Sequence, residues 1–172
     1  MDFQDLAILR AMPNMHVYSP CDVYELRQVL RHMAGANQPT YMQLVRPKVP
    51  PVFDDSISFD PQKAVRVRDG NAVTLVVTGY MTHVAAEAAD QLADEGCHVD
   101  LLHYPSVKPF DHETLVASAD KTGSVVTVEI PCTLTIEFRS DRPRAVGVAQ
   151  QVRHHGRRSD GRIPERKAEH GA

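Results

Sequence analysis

Arg46 is the residue whose type and position best suit the binding of a ligand. It follows a largely apolar run at residues 41–45, which is typical of a buried strand. Ligands of open α/β sheets collect at the carboxyl ends of strands, and a guanidinium group can bind two phosphate oxygens at once. The position favours a phosphate-binding arginine, although a solvated arginine beside a linker would show the same spacing.

The histidines and cysteines do not follow a metal-binding pattern. His98, His103 and His112 lie close in sequence, but they lack the i, i+4 spacing by which a helix presents two zinc ligands. We interpret them as surface or strand-end residues. The 3 cysteines, Cys21, Cys97 and Cys132, are widely spaced, which predicts ordinary thiols rather than a disulfide framework or a zinc site.

Two features of enzyme sites are missing from the sequence. No glycine-rich phosphate loop is followed by the Asp and Asn ligands of a bound metal ion. Asp94 and Glu95 end a predicted helix without a partner carboxylate, so general acid–base catalysis has no support. We therefore predict no catalytic residue and no metal ligand.

The composition argues against two classes of function. A net charge of −3 over 172 residues and a pI of about 6.3 argue against a nucleic-acid partner. No apolar run approaches the roughly 18 residues that span a bilayer. The first ten residues lack the basic and apolar stretches of a secretory signal, so we expect a cytoplasmic protein.

The charge changes sharply near residue 138. Residues 139–172 contain 9 Arg and Lys residues and 4 acids, a local charge of +5, so residues 1–138 carry −8. Pro131 interrupts the last predicted strand. The composition predicts that residues 131–172 form a basic, disordered tail that is unrelated to the preceding fold.

Residues 1–46 show the pattern of a strand, a helix and a second strand. The predicted strands are residues 15–19 and 41–45. Between them, apolar residues at helical spacing predict a helix that Ser19 or Asp22 caps and Gly35 ends. Residues 47–62 contain four prolines, which predicts an extended linker.

Residues 63–130 alternate between strands and helices. This order predicts an α/β fold, a small three-layer αβα domain with a mostly parallel sheet. The predicted strands are residues 64–68, 72–78, 99–102 and 124–129, and the predicted helices are residues 82–95 and 111–118. Thr82 is the expected cap of the first of these helices, and Val84, Ala88 and Leu92 are its expected core face.

Several segments, taken in order, resemble the transketolase family of thiamine-diphosphate enzymes. They are residues 4–15 (QDLAILRAMPNM), 40–50 (TYMQLVRPKVP), 73–79 (VTLVVTG), 106–111 (SVKPFD) and 122–129 (TGSVVTVE). Each is short, but their order and spacing are fairly specific. They look most similar to the short, split transketolases, in which the enzyme is divided between two chains. Residues 1–46 would then be the C-terminal part of the pyrimidine-binding domain, and residues 63–130 an incomplete transketolase C-terminal domain.

The resemblance implies ketol transfer between sugar phosphates with thiamine diphosphate and Mg²⁺. In the family, the glutamate that activates the cofactor lies upstream of the matched segment, and the diphosphate is held by a separate domain. Arg46 matches the arginine that reaches the sugar phosphate. We expect a C-terminal fragment that is inactive and binds no cofactor alone, and that pairs with a complementary chain carrying the cofactor-binding half or with a second copy.

Two alternatives fit the same residues. The chain could be a non-catalytic assembly subunit of a split transketolase. It could also derive from a deoxyxylulose-phosphate synthase or from the beta chain of a 2-oxo-acid dehydrogenase, which share the two-domain arrangement, although residues 46–50 (RPKVP) favour transketolase. We expect the unit at residues 1–46 to leave its sheet edge and apolar faces uncovered, which would favour association with another chain.

Overall fold

Two β-sheets and four helices organise the part of the chain that the computed structural model describes, residues 5–128 and 146–148. The helices are α1 (Asp5–Ala11), α2 (Val23–Ala34), α3 (Met81–Asp94) and α4 (His112–Thr122). The strands are β1 (His16–Tyr18), β2 (Thr40–Met42), β3 (Val65–Arg68), β4 (Thr74–Val77), β5 (Asp100–His103), β6 (Ser106–Lys108), β7 (Val125–Val128) and β8 (Val146–Val148). This mixed architecture is the α/β fold class that the sequence predicts.

The smaller sheet has the strand order β2-β1-β6. Strands β1 and β2 are parallel and are joined by α2, whose first turn is capped by Asp22 through hydrogen bonds of 3.0 Å from the backbone N–H groups of Tyr24 and Glu25. Gly35 follows the last residue of the helix. The predicted cap at Asp22 and the predicted end at Gly35 are both confirmed.

Strand β6 comes from the second half of the chain but pairs with β1, antiparallel, in the first sheet. Val107 of β6 packs with Val17 of β1 and Leu6 of α1 in a small buried cluster. The expectation that the first unit leaves its sheet edge uncovered is therefore wrong on this side. A three-residue strand that ends before Pro109 carries too little pattern to be recognised in the sequence.

The larger sheet has the strand order β3-β5-β4-β7-β8 and is parallel except for β3, which is antiparallel to β5. Neighbouring residues of a strand point to opposite faces. Val77 and Leu101 accordingly pack with α3 on one face, whereas Val76 and Leu102 pack with Leu115 of α4 on the other. Helices on both faces produce the three-layer arrangement that the sequence predicts.

Helix α3 faces the sheet with its small residues. Ala85, Ala86 and Ala89 are buried, whereas Val84 is 40% and Leu92 is 36% exposed. The predicted core face of Val84, Ala88 and Leu92 is therefore wrong. Both sets repeat at helical spacing and differ by one position, and close packing of the helix backbone on the sheet selects the smaller side chains.

The start of α3 also differs from the prediction. Thr82 lies inside the first turn, and its hydroxyl donates a hydrogen bond to the carbonyl oxygen of Gly79 at 2.8 Å. The helix begins after Tyr80, whose side chain makes no capping bond. Thr82 is thus buried and available for contacts with the next strand rather than serving as the cap.

Residues 47–62 contain no helix or strand and lie along α2. Asp22 Oδ2 accepts hydrogen bonds of 2.8 Å from the backbone N–H groups of Val52 and Phe53. Gln28 Nε2 donates to the carbonyl oxygen of Ile57 at 2.9 Å. The segment is held against the helix by specific hydrogen bonds, which a sequence pattern of prolines does not reveal.

The predicted tail at residues 131–172 lies outside the described residues except for β8, which pairs in parallel with β7. Without β8, strand β7 would present an unpaired edge of backbone N–H and C=O groups. Among the helices of residues 5–128, none has both the length and the hydrophobicity to cross a bilayer.

Candidate functional site

Arg46 lies four residues beyond the end of β2 and is exposed. Within the described residues it has no hydrogen-bond or ion-pair partner, so its guanidinium group is open to solvent. The structure thus places Arg46 in the segment that follows the carboxyl end of β2. Its role in binding a sugar phosphate stays a prediction.

The three histidines singled out in the sequence have different surroundings. His98 and His112 are exposed, as expected for surface residues, whereas His103 is 0% exposed at the carboxyl end of β5. Its position at a strand end agrees with the prediction, but its burial brings it against residues that are distant in sequence. The structure does not bring the three histidines together.

Instead, His103 belongs to a buried group of polar residues that we call the carboxyl-edge cluster: Cys21, Glu25, Thr82 and His103. Glu25 Oε2 accepts a hydrogen bond of 2.8 Å from the backbone N–H of Cys21 and lies 2.8 Å from Nε2 of His103. The other ring nitrogen, Nδ1, lies 2.8 Å from the hydroxyl oxygen of Thr82. All four residues are at most 2% exposed.

Three elements hold this cluster in place. His103 ends β5, Thr82 lies in the first turn of α3, and Glu25 lies in the first turn of α2. The close approach of the two units requires Gly79, because a Cβ atom there would lie 2.3 Å from Oγ of Ser19, and because its φ of +56° is rarely adopted by other residues. The cluster therefore joins the strand–helix unit to the edge of the larger sheet.

The hydrogen-bond directions constrain the protons of this cluster. Thr82 donates its proton to the carbonyl of Gly79, so its oxygen accepts from Nδ1–H of His103. Nε2 then faces a carboxylate oxygen of Glu25 at 2.8 Å. A contact at this distance requires a hydrogen atom on Nε2 or on the carboxyl oxygen, or a cation bound between the two.

One carboxylate oxygen of the cluster remains without a partner in the described part of the chain, and the Cys21 thiol has the Glu25 side chain as its hydrogen-bond partner. Glu25 Oε1 is buried and has no hydrogen-bond partner among the described residues. Burial, followed by the negative charges of Glu25 and Asp22, raises the pKa of the Cys21 thiol. Without a cation nearby the thiol is therefore neutral at ordinary pH.

Cys21, Glu25 and His103 each offer one metal-ligating atom, and these atoms lie within 4.8 Å of one another. No other group of three such residues occurs in the described part of the chain. The sequence predicts no metal ligands, because His103 is 78 residues from Glu25 and no local spacing connects them. A glutamate in the first turn of a helix is a weak signal that could have drawn attention to this position.

A second polar group, the amino-edge network, surrounds the buried Asp100 at the opposite end of the same sheet. It contains Arg66, Thr74, Asp100, Ser118 and Lys121. The Asp100 carboxylate accepts hydrogen bonds from Arg66 at 2.8 and 3.3 Å and from Ser118 at 2.6 Å, and it lies 2.8 Å from Nζ of Lys121. Burial alone would raise the pKa of Asp100, but the hydrogen bonds from Lys121, Ser118 and Arg66 outweigh it and lower that pKa.

The carboxyl-edge cluster does not fit thiamine diphosphate with Mg²⁺. Glu25, the buried carboxylate of the carboxyl-edge cluster, is directed at Cys21 and His103 rather than at a cavity. The cluster offers a thiol and an imidazole, whereas Mg²⁺ prefers oxygen ligands in octahedral geometry. We therefore assign no step of thiamine chemistry to these residues.

Comparison with known proteins identifies the family to which this architecture belongs. A family model described as "Transketolase, C-terminal domain" matches residues 62–132. A solved structure described as "Split gene transketolase, inactive beta4 tetramer" superimposes with a TM-score of 0.73 at 40% identity, over 75% of this chain and 43% of that chain. The chain belongs to the transketolase family. Within that family, its matched part corresponds to the C-terminal domain and the segment that precedes it.

Two curated relatives are named as components of specific transketolases. The 6-deoxy-6-sulfo-D-fructose transketolase subunit SqwH of Clostridium sp. (strain MSTE9) is 37% identical over 129 residues, 75% of this chain and 40% of that protein. An apulose-4-phosphate transketolase subunit of Phocaeicola vulgatus is 29% identical over 162 residues, 88% of this chain and 52% of that protein. The chain thus spans about half or less of the length of these relatives.

The alignment with the Phocaeicola vulgatus protein bears on the predicted boundary between the fold and the tail. Its coverage of 88% exceeds what residues 1–130 of 172 could supply, so the sequence similarity extends beyond the predicted boundary.

The family also has relatives outside the transketolases proper. The beta subunit of a pyruvate dehydrogenase E1 component from Staphylococcus epidermidis is 32% identical over 149 residues, 84% of this chain and 42% of that protein.

Proposed function

We propose that this chain acts as the assembly half of a split transketolase and has no ketol-transfer activity alone. In this proposal a complementary chain holds thiamine diphosphate and Mg²⁺, and the present chain supplies the C-terminal domain and the adjoining strand–helix unit. The proposal rests on the contacts by which the strand–helix unit packs on the C-terminal domain. Strand β6 completes the first sheet, and Glu25 contacts His103 across the junction.

The junction has further contacts that support docking as one unit. Nζ of Lys108 on β6 donates hydrogen bonds to the carbonyl oxygens of Arg10 and Met12 at 3.0 and 2.6 Å, which anchors the end of α1. The hydroxyl of Tyr41 donates to the Asp5 carboxylate, which ties the start of α1 to β2. The strand–helix unit is thus held on the C-terminal domain rather than attached by a flexible linker alone.

Large apolar side chains on the outer surface of this unit support a protein partner. Ile8 and Met12, in and just after α1, are 55% and 45% exposed, Val23 and Leu30 of α2 are each 48% exposed, and Leu44 is 56% exposed. Their exposure in one small unit favours burial against another chain. The similar solved structure, described as an inactive tetramer of a split-gene transketolase, agrees with such a partner.

Arg46 is the proposed contribution of this chain to substrate binding. Its guanidinium group is exposed and unpaired within the described residues, so binding a sugar phosphate would break no ion pair. In the assembled enzyme, Arg46→Ala should raise KM for sugar phosphates at least ~10-fold with little change in kcat, because the contact is made equally to substrate and transition state. Arg31→Ala, which removes an exposed arginine near the end of α2, is the matched control.

The proposal is tested by measuring cofactor binding and activity before and after a partner is added. Isothermal titration calorimetry of the purified chain with thiamine diphosphate and Mg²⁺ should show no saturable heat. Mixing the chain with a protein that carries the cofactor-binding half should give a stable complex by size-exclusion chromatography with light scattering, and ketol transfer should appear only in that complex. Saturable cofactor uptake by the chain alone would show the proposal to be wrong.

The similarity to a pyruvate dehydrogenase component supports a second candidate, the corresponding chain of a 2-oxo-acid dehydrogenase. The two candidates differ in the donor substrate that the assembled enzyme accepts. A ketose phosphate as donor would support transketolase, whereas release of carbon dioxide from a 2-oxo acid would support the dehydrogenase. The same reconstituted complex serves for both assays.

A further inference from the structure

We propose that Cys21, Glu25 and His103 form a binding site for a divalent transition metal, Zn²⁺ in the first instance, at the junction of the two units. The proposed site does not depend on the function proposed above. It uses one thiol, one carboxylate and one imidazole that converge from α2, the turn before it, and β5.

The distances between the three donors are close to those of a metal site. Zinc binds cysteine sulfur at about 2.3 Å and histidine nitrogen or carboxylate oxygen at roughly 2.0–2.2 Å, so its ligands lie roughly 3–4 Å from one another. The three donor atoms here lie within 4.8 Å of one another. Side-chain movements of about an ångström would close this gap.

The unpartnered carboxylate oxygen is the observation that points to a ligand. Oε2 of Glu25 already accepts from the backbone of Cys21, whereas Oε1 is buried without a partner among the described residues. A shared proton between Glu25 and His103 explains the contact of Oε2 with Nε2, but it leaves Oε1 unsatisfied. A metal ion bound by Nε2 and by both carboxylate oxygens of Glu25 replaces that proton and satisfies Oε1.

The surroundings of His103 are those of a metal-binding histidine. Ligating histidines commonly use the second ring nitrogen for a hydrogen bond that fixes the orientation of the ring. Here Nδ1 contacts the hydroxyl of Thr82, which in turn donates to the carbonyl of Gly79. This chain of hydrogen bonds directs Nε2 toward Glu25.

The donor types select the class of metal. A thiolate and an imidazole suit Zn²⁺ and related transition metals, whereas Mg²⁺ and Ca²⁺ favour sites made of oxygen atoms. A bound dication would also favour the thiolate form of Cys21, because cysteine binds a metal ion through its deprotonated sulfur and the thiol proton is released. With three protein ligands, a water molecule or a substrate atom would complete the tetrahedral coordination of zinc.

The test uses the full chain expressed in minimal medium supplemented with Zn²⁺ or with Co²⁺. The zinc-grown protein should contain close to one zinc per chain by plasma mass spectrometry. The cobalt-grown protein should show the charge-transfer band of a cobalt–thiolate bond in the near ultraviolet. Cys21→Ser should abolish this band, whereas Cys97→Ser, which removes the other described cysteine, should leave it intact.

Thr82→Val tests whether the hydroxyl that orients the His103 ring contributes to metal affinity. It removes the hydroxyl that contacts His103 without removing a ligand, and loss of such a partner typically weakens metal binding about 10- to 100-fold. Absence of stoichiometric metal from both wild-type preparations would overturn the proposal and leave a shared proton as the occupant. A band that persists in Cys21→Ser would also overturn it, and the wild-type measurements decide the question even if a variant fails to fold.

Discussion

Strand β5 carries a buried ionisable residue at each end, and the two ends are built differently. At the amino end, Asp100 receives hydrogen bonds on both carboxylate oxygens, and its two cationic partners are themselves partly exposed. At the carboxyl end, His103 meets Glu25, and both are fully buried, with one carboxylate oxygen left unpartnered among the described residues. The amino-edge network therefore has the features of a structural site, whereas the carboxyl-edge cluster keeps a polar atom that its described protein neighbours do not satisfy.

The largest effect is expected from breaking the buried pair. His103→Leu should lower the free energy of unfolding by about 3–5 kcal/mol, because it leaves the Glu25 charge buried without compensation. Urea denaturation followed by circular dichroism measures this loss. Adding Glu25→Gln should recover about 0.5–3 kcal/mol of the sum of the two single losses, since the residues contact each other; strictly additive losses would show that the pair is not coupled.

A smaller loss is expected at the amino edge. Asp100→Ala should cost about 2–3 kcal/mol, because Arg66 and Lys121 can turn their charges to water when the carboxylate is removed. The same denaturation assay gives the value. A loss greater than that of His103→Leu would reverse the comparison and identify Asp100 as the more important anchor.

Substitution of Gly79 tests whether the close approach of the two units contributes to stability beyond the requirement for a left-handed backbone conformation. Gly79→Ala should cost more than the roughly 1–2 kcal/mol that a left-handed conformation costs an alanine, because its Cβ would also collide with Oγ of Ser19. Gly96→Ala is the matched control, since Gly96 also has a positive φ but has no atom within 4 Å of the added Cβ. Ser19→Ala should restore part of the loss in Gly79→Ala and none in Gly96→Ala.

Acid should weaken the amino-edge network selectively. The pKa of Asp100 is below its ordinary value of 3.8 in the folded protein, so the folded state gains stability when this group is ionised. That contribution is present above about pH 4 and is lost as the pH falls through the folded-state pKa. Unfolding midpoints measured between neutral pH and strong acid should fall less steeply in Asp100→Asn than in the wild type.

The smallest effect is expected at an exposed ion pair. Arg68 and Asp90 make two hydrogen bonds, of 2.7 and 2.9 Å, but their side chains are 44% and 57% exposed. Arg68→Ala should change the free energy of unfolding by about 0–1 kcal/mol, and added salt should reduce the difference. A loss as large as that of Asp100→Ala would mean that burial does not explain the difference in stability between this exposed pair and the Asp100 carboxylate.

Local patterns in the sequence predict the features that depend on neighbouring residues. Asp22 and Gly35 bound α2 as predicted, because capping involves residues only a few positions apart. The predicted face of α3 is wrong by one position, because a helix rich in alanine has two stripes of similar hydrophobicity and only the sheet decides between them. The candidate site could not be predicted, since Glu25 and His103 meet across 78 residues of intervening chain.

Strand β6 also fixes an order of events during synthesis. Domains emerge from the ribosome with the N-terminal end first, and in the described part of the chain Ser106–Lys108 supplies the partner of β1 on one side. A nascent chain that has reached the end of β2 therefore displays an open strand edge until the greater part of the larger sheet has been made. The hydrogen bonds of that edge are therefore completed late, although β1 itself is synthesised before any strand of the larger sheet.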